Sequence, residues 1–529
     1  MSQVADAPLV HVGSVAQLGG AGRRLVKVAG RQIALFLDGE RVHACTNRCP
    51  HEGYPLIEGS VADGCILTCN WHNWKFDLDS GDTLVGGDTL RRYPVRLVDG
   101  EIWVDITDPP RSAVVDAALG NLRRCFDRHE YDRMAREISR LQNAGADPLD
   151  AVRAAIGWTY DHLEFGTTHA HAAAPDWLAL RDAYGRDDGT RLVPALEIVG
   201  NLAWDSQRAP RFPFPDGRRP YDPDSLVAAI EDEDEAAAVG IVRGALAGGA
   251  DFDDLRRPLA RAALAHYQDF GHSLIYVLKT GELIERLGAD VAEPLSLVLV
   301  RSLIYARRED LIPEFRAYAP ALARWDGGGL EPAATPDFAV LSVPRALDRV
   351  LASSADTAGL YHALMGAAAW QLLHFDAALQ DRTDKPISRN VGWLSFTHAV
   401  TFGNAVRVLC TADPALWPRG VLQMACFLGR NAPYTDPDLE TARWEVADRD
   451  AFFDEWSARL FDHGETEYIV SCHLVKLLTA VRSEVDAAPD APWAPTLLSA
   501  TRRFLQSPLK RKHALRTARQ ALDFTANEG

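Results

Sequence analysis

The stretch Cys49-Pro50-His51, followed after the 17 residues 52–68 by Cys69-Asn70-Trp71-His72, decides how the N-terminal part of this chain is read. Each of two short loops supplies one thiol and one imidazole. Zinc is one candidate for such a set, but zinc ligands ordinarily pair Cys with Cys and His with His at wider spacing. A two-iron, two-sulfide cluster fits better. One iron then takes both thiolates and the other both imidazoles, which explains why each loop carries both residue types.

The surroundings read as β structure. Short strand-type runs recur from about Leu9 to Asp105, separated by turn pairs such as Asp38-Gly39, Ser80-Gly81 and Asp99-Gly100. That punctuation predicts a small all-β, antiparallel domain over residues 1–107. Asp108-Pro109-Pro110 predicts a linker over 108–112. From residue 113 to 529 the chain turns alanine- and leucine-rich, and the expectation is a large, mainly α-helical domain. Helices are expected over Ser273–Leu287, Thr357–Ala378, Leu394–Cys410, Ala451–Phe461 and Glu467–Val485, with Gly288 ending the first. Two Pro- and Gly-rich stretches, Ala209–Pro223 and Asp326–Pro336, are expected as surface loops, and the second is a candidate boundary between two lobes. A shift of 104 residues lays Gly145-Ala146-Asp147 on Gly249-Ala250-Asp251, Arg153 on Arg257 and His162 on His266, which suggests a duplicated helical unit.

The Cys/His pattern resembles the Rieske 2Fe-2S domain family, and the likeness extends beyond the four ligands. His51-Glu52-Gly53 and Leu56 to Gly59 resemble the loop after the first pair, and Trp74-Lys75-Phe76-Asp77 with Ser80-Gly81 the strand and turn after the second. It covers roughly residues 9–106. The resemblance implies that Cys49 and Cys69 ligate the buried iron, that His51 and His72 ligate the outer one, and that electrons leave by the histidine edge. Respiratory members brace the two loops with a disulfide, where this chain has Tyr54 and Trp71. They also bond the cluster sulfurs through Ser and Tyr hydroxyls, where this chain has Trp74 and Phe76. Those departures place the chain with the ferredoxin and oxygenase branch, with a potential in the lower part of the ~−150 to +300 mV Rieske range. Cys45 and Cys65 read as small buried core thiols, and Trp71 and Trp74 as hydrophobic cover. Lys510-Arg511-Lys512 reads as a solvated face, with docking of an acidic donor as the alternative.

Rieske oxygenases carry a mononuclear iron on an Asp-x-x-His-x4–5-His element. Asp269-Phe270-Gly271-His272 gives only the first half, and Asp161-His162-Leu163-Glu164 with His169 and His171 has the residue types at the wrong spacing. A standard oxygenase catalytic domain is therefore not expected. Twelve of the 16 histidines nevertheless follow residue 112, several in apolar helices with acids nearby. Metal sites in helical bundles are built from inward His, Asp and Glu on facing helices. The first choice for such a site is His162, Glu164, His266 and His272, and a cluster among His362, His374, His398, His463 and His473 would move it. The metal there, if present, is expected to be non-haem iron.

Composition narrows the function classes. Asp and Glu outnumber Lys and Arg by 73 to 56, a formal charge of −17, so nucleic acid is a poor candidate partner. No apolar run reaches the ~18 residues of a membrane span, no secretory leader pattern opens the chain, and eight cysteines are too few for a disulfide scaffold. The expectation is a cytoplasmic oxidoreductase whose cluster passes single electrons to a site in the helical domain, where a small organic substrate would react. The alternative is a non-enzymatic carrier whose helical domain docks a larger redox complex. No nicotinamide or flavin fingerprint is evident, so an external reductase or ferredoxin is expected as donor.

Overall fold

The computed structural model describes residues 9–62, 64–207, 210–381, 391–507 and 514–526. Among these, every strand lies between Leu9 and Asp105, and the regular structure of the remaining described residues is helical apart from two isolated bridges. The chain resolves into two compact units, Met1–Asp147 and Pro148–Gly529.

Eleven strands form three antiparallel sheets in the first unit. Strands β1 (Leu9–Ser14), β11 (Glu101–Asp105) and β10 (Val95–Val98) form one. A second runs β2 (Arg23–Val28), β3 (Arg31–Asp38), β4 (Arg41–Thr46), β9 (Arg92–Tyr93). The third runs β5 (Ser60–Ala62), β6 (Ile66–Thr68), β7 (Lys75–Asp77), β8 (Thr83–Val85). Strand β3 is buried on both faces, which is why its centre reads as the continuous apolar run Ile33-Ala34-Leu35-Phe36. Ile33 and Leu35 enter one core with Val26, Ile102 and Val104. Ala34 and Phe36 enter another with Leu56, Leu67, Phe76 and the thiols Cys45, Cys49, Cys65 and Cys69. The cluster loops therefore sit on their own hydrophobic floor.

Two helices follow directly, α1 (Arg111–Phe126) and α2 (Tyr131–Asn143). Sequence texture grouped them with the helical part beyond a linker at 108–112, whereas they pack with the β unit, and the division falls after Asp147. The reason is electrostatic. Arg133, Arg136 and Arg140 share one face of α2 and all bind Asp88, at 3.1, 2.7 and 3.0 Å. Asp88 is wholly buried. Burial alone would raise its carboxyl pKa, yet Arg136 and Arg140 hold it below the ordinary value. A helix carrying three arginines to one buried carboxylate belongs energetically to the domain that owns it.

The second unit follows its apolar periodicity closely. The expected helices appear as His272–Leu287, Thr357–Leu373, Trp393–Ala412, Arg449–Leu460 and Tyr468–Ala487. Gly288, at φ 92°, ends the first of these, as its lack of a Cβ allows. Asp251 caps Phe252–Ala263 by accepting from the amides of Asp253 and Asp254. Residues 210–222 carry no regular element, and neither do 325–334, after which the short helix Thr335–Ala339 begins. No helix among the described residues is long and apolar enough to cross a membrane.

Candidate functional site

The two Cys/His loops of the β unit share one backbone design. The amide of Cys49 donates to Tyr54 O at 2.9 Å and that of Gly53 back to Cys49 O at 2.8 Å. The amide of Cys69 donates to Trp74 O at 2.8 Å and that of Asn73 back to Cys69 O at 3.0 Å. Each loop closes through a left-handed residue, Gly53 at φ 79° and Asn73 at φ 59°, residue types that accept that conformation cheaply. Both cysteines are buried, while the imidazoles of His51 and His72 stand partly in solvent with ring centres 4.6 Å apart.

These residues fit a two-iron cluster. Burial, with the neighbouring Cys69 thiol, pushes Cys49 up to about 11, so a dry thiol pair is poorly placed unless a cation neutralises it. His51 Nδ1 is buried with no hydrogen-bond partner, an orphan that a metal bond would satisfy. The thiols lie inside and the imidazoles outside, which is the split required by a cluster held through two thiolates and two imidazoles.

The bracing of the loops differs from the respiratory type in a readable way. Tyr54 and Trp71, at the positions of the disulfide there, stack with ring centres 5.8 Å apart and planes 14° apart. Asn70 Nδ2 adds a bond to Glu58 O at 2.7 Å across the loops. Trp74 stacks on His51 at 4.4 Å. Trp71 is 61% exposed, so it is a solvent-facing brace rather than core cover. Beside His51 opens a cleft of about 490 Å³ lined by Arg48, Arg91, Arg136 and Arg140. Lys510-Arg511-Lys512, the other basic candidate, lies outside the described residues.

The second convergence is in the helical unit. Four long helices each contribute one histidine from their first two turns: His169 from His169–Tyr184, His272 from His272–Leu287, His398 from Trp393–Ala412 and His473 from Tyr468–Ala487. The rings close a cycle, with centroid separations of 5.0 Å (His169–His272), 4.6 Å (His272–His398), 5.0 Å (His398–His473) and 4.9 Å (His473–His169). His272 Nε2 lies 3.3 Å from His169 Nε2 and 2.9 Å from His398 Nε2.

Tautomers decide what these contacts mean. Nδ1 of His272, His398 and His473 each lies 2.6 Å from a backbone carbonyl, of Asp269, Leu394 and Ile469. A carbonyl only accepts, so each Nδ1 carries the proton and each Nε2 is a bare lone pair. Burial holds all four rings neutral, pushing His272 down to about 3 and His169, His398 and His473 well below their ordinary value. Bare lone pairs facing one another repel unless a cation stands between them, and His473 Nε2 is buried without any partner. Three of these nitrogens stand close enough together that one metal ion could bond them all. Lys476 lies one turn after His473, buried, its Nζ unpartnered and burial bringing it down to about 8.

Of the first-choice quartet, only His272 is in this ring. His266 is clamped between Glu231 at 2.7 Å and Asp310 at 2.9 Å. His162 stands 3.8 Å from Asp161, and Glu164 is exposed. Of the second cluster, His398 and His473 belong to the ring. His362 accepts from Trp493 at 3.1 Å, His374 bonds Trp370 O at 2.9 Å, and His463 lies 3.2 Å from Glu197. His169 joins the ring although its spacing from Asp161 and His162 matches no paired-ligand motif. A search for paired ligands on one helix passes over a site to which each helix gives one.

Comparison with known proteins bears on the β unit. The Rieske 2Fe-2S domain profile matches residues 9–92. The ferredoxin subunit of anthranilate 1,2-dioxygenase from Burkholderia cepacia is 36% identical over 83 residues, 15% of this chain and 76% of the subunit. The 4beta-methylsterol monooxygenase of Methylococcus capsulatus is 38% identical over 96 residues, 16% of this chain and 26% of its own. The chain thus spans about a quarter of that enzyme's length. Among solved structures, the ferredoxin of carbazole 1,9a-dioxygenase from Nocardioides aromaticivorans is 26% identical, covering 19% of this chain and 100% of the ferredoxin, at a TM-score of 0.18. Through residues 9–92, then, the chain belongs to the Rieske 2Fe-2S domain family.

Proposed function

We propose that the protein is a cytoplasmic oxidoreductase in which the Rieske cluster passes single electrons to a metal held by His169, His272, His398 and His473. The observation that supports it most is the ring of four neutral imidazoles, three with Nδ1 tied to carbonyls so that Nε2 faces inward. An all-imidazole set suits redox-active iron among other first-row ions, and iron bound there would supply one-electron and oxygen chemistry to an organic substrate. The chain's own residues define the rest. The carbonyls of Asp269, Leu394 and Ile469 fix ring orientation, and burial keeps the rings unprotonated. Lys476 supplies a positive charge or a donor to an anionic oxygen of the substrate. The arginine-lined cleft beside His51 suits an acidic electron donor, a reductase or ferredoxin.

Iron and sulfide analysis of the purified protein tests this reading. About three irons per chain are expected, two in the cluster and one at the ring. His398→Ala and His473→Ala should each remove the third and leave the reduced cluster's paramagnetic resonance signal unchanged. A stable count of about two irons in wild type and variants alike, with no other metal in the protein, would leave electron carriage as its role.

A further inference from the structure

The β3–β4 hairpin and the turn before β6 assemble three donor side chains that the cluster loops do not use. Phe36 pairs with His43 across the hairpin, so Asp38, two residues along β3, falls on the same face as His43. Cys65 enters from the turn between β5 and β6. Its Sγ is 2.7 Å from Asp38 Oδ2 and 3.4 Å from His43 Nε2. All three donor atoms lie within 4.8 Å of one another, with His43 and Cys65 buried. We propose that Asp38, His43 and Cys65 form a metal site separate from the iron–sulfur cluster, suited to a divalent ion of the zinc class.

The geometry is near what such an ion needs. With bonds of ~2.0–2.3 Å, tetrahedral ligand atoms stand roughly 3.3–3.7 Å apart. The thiol–imidazole separation already meets that. The thiol–carboxylate contact must open by roughly 1 Å, within reach of an Asp38 side chain that is not fully buried. On binding, the Cys65 thiol proton leaves to solvent and a water takes the fourth position. One set of mixed soft and borderline ligands with an open place is the usual three-ligand zinc arrangement.

Two further features fit this better than a hydrogen-bonded core thiol. Asp79 Oδ1 lies 3.7 Å from His43 Nδ1, and Arg41 grips the Asp79 carboxylate with both terminal nitrogens. A carboxylate behind the far ring nitrogen is how metal-binding imidazoles are oriented. Cys65 also holds a left-handed backbone, φ 63°, a conformation unfavourable for a non-glycine residue. A hydrogen-bonded core thiol would donate to Asp38 and accept from His43 Nε2–H, whereas a metal ion would bond all three atoms at once. A cleft of about 290 Å³, lined in part by Arg41, His43, Asp79 and Tyr93, opens beside His43.

The test compares full-length, cluster-loaded protein with Asp38→Asn, His43→Gln and Cys65→Ser, each equilibrated with zinc and freed of loosely held ion by gel filtration. Wild type should retain roughly one more zinc per chain than each variant. Zinc bound at the helical ring is common to all four proteins and cancels. X-ray absorption at the zinc edge should show a sulfur neighbour that Cys65→Ser removes, while Asp38→Asn keeps the cluster's resonance signal. Asp79→Asn should keep the site and weaken zinc binding ~10–100-fold. Equal zinc content in wild type and variants, or a zinc spectrum without sulfur, overturns the proposal. Where Cys65→Ser fails to load its cluster, Asp38→Asn and His43→Gln decide the question by stoichiometry.

Discussion

Acidifying the metal-free protein should unfold its helical unit in a way that His272 alone makes measurable. Burial lowers His272 from 6.5 to about 3 in the folded state. The unfolded chain therefore binds a proton between pH 6.5 and 3 that the native state refuses. Stability is intact above pH 6.5 and is lost as pH falls across that window. At pH 5 the unfolded imidazole is 1.5 units below its own pKa. At 1.36 kcal/mol per unit this removes ~2 kcal/mol of folding free energy through His272. His169, His398 and His473 are shifted in the same direction by burial, so the whole ring adds to the loss. The assay is urea denaturation of metal-free wild type and His272→Gln at pH 7 and pH 5, followed by circular dichroism. Wild type should lose ~2 kcal/mol more than the variant between the two values. Equal losses would show that His272 titrates normally and that the ring is not the dry, neutral structure described.

The other expectations are simpler to state. If Cys69 and His72 ligate the irons as proposed, Cys69→Ser or His72→Ala should abolish or severely alter the reduced cluster's resonance spectrum. The wild-type potential should fall nearer ~−150 than ~+300 mV in protein-film voltammetry, since neither Trp74 nor Phe76 carries a hydroxyl for the cluster sulfurs. Trp71→Ala should cost ~0.5–1.5 kcal/mol of β-unit stability in chemical denaturation through the lost Tyr54 stack, and should hasten cluster loss. Asp88→Asn removes the buried carboxylate at which three arginines meet, leaving Arg133 to Glu130 and Arg140 to Glu137, and should destabilise the same unit by ~3 kcal/mol, read as a fall in its unfolding midpoint. Because the folded Asp88 pKa is depressed, its share of stability is present above the ordinary carboxylate pKa and is lost as pH falls below it.

What was legible in the sequence was whatever local chemistry specifies. The cluster loops are short, and each must hold a Cys and a His within three residues, so spacing alone marked Cys49, His51, Cys69 and His72. Helix extents followed from apolar periodicity and from caps such as Asp251 and Gly288. The domain boundary was less visible. The partner that ties α2 to the β unit is a single aspartate, Asp88, lying 45 to 52 residues before the arginines it binds. Composition around Arg133 looks like any solvated helix. Nor did the sequence distinguish His272, which joins the ring, from His266, which is tied down by Glu231 and Asp310. Both sit near acids in apolar surroundings, and only the fold shows which nitrogen is left without a proton.

The proposed metal at the histidine ring would be coupled to the fold by the spacing of its ligands along the chain. His169 and His272 are 103 residues apart and His272 and His398 are 126 apart. No fragment shorter than half of the helical unit contains three of the four. An unfolded chain therefore offers isolated imidazoles, and only the packed bundle offers a ring with three protons already directed outward to carbonyls. Binding free energy at such a site adds directly to folding free energy, ~2.7 kcal/mol at a metal concentration of 100 Kd. A metal bound there would also remove the repulsion between the facing lone pairs. Acid and chelation should then act on one equilibrium: a chelator should move the pH 5 unfolding midpoint of wild type far more than that of His272→Gln. A chelator effect of equal size in both would place the bound metal elsewhere in the chain.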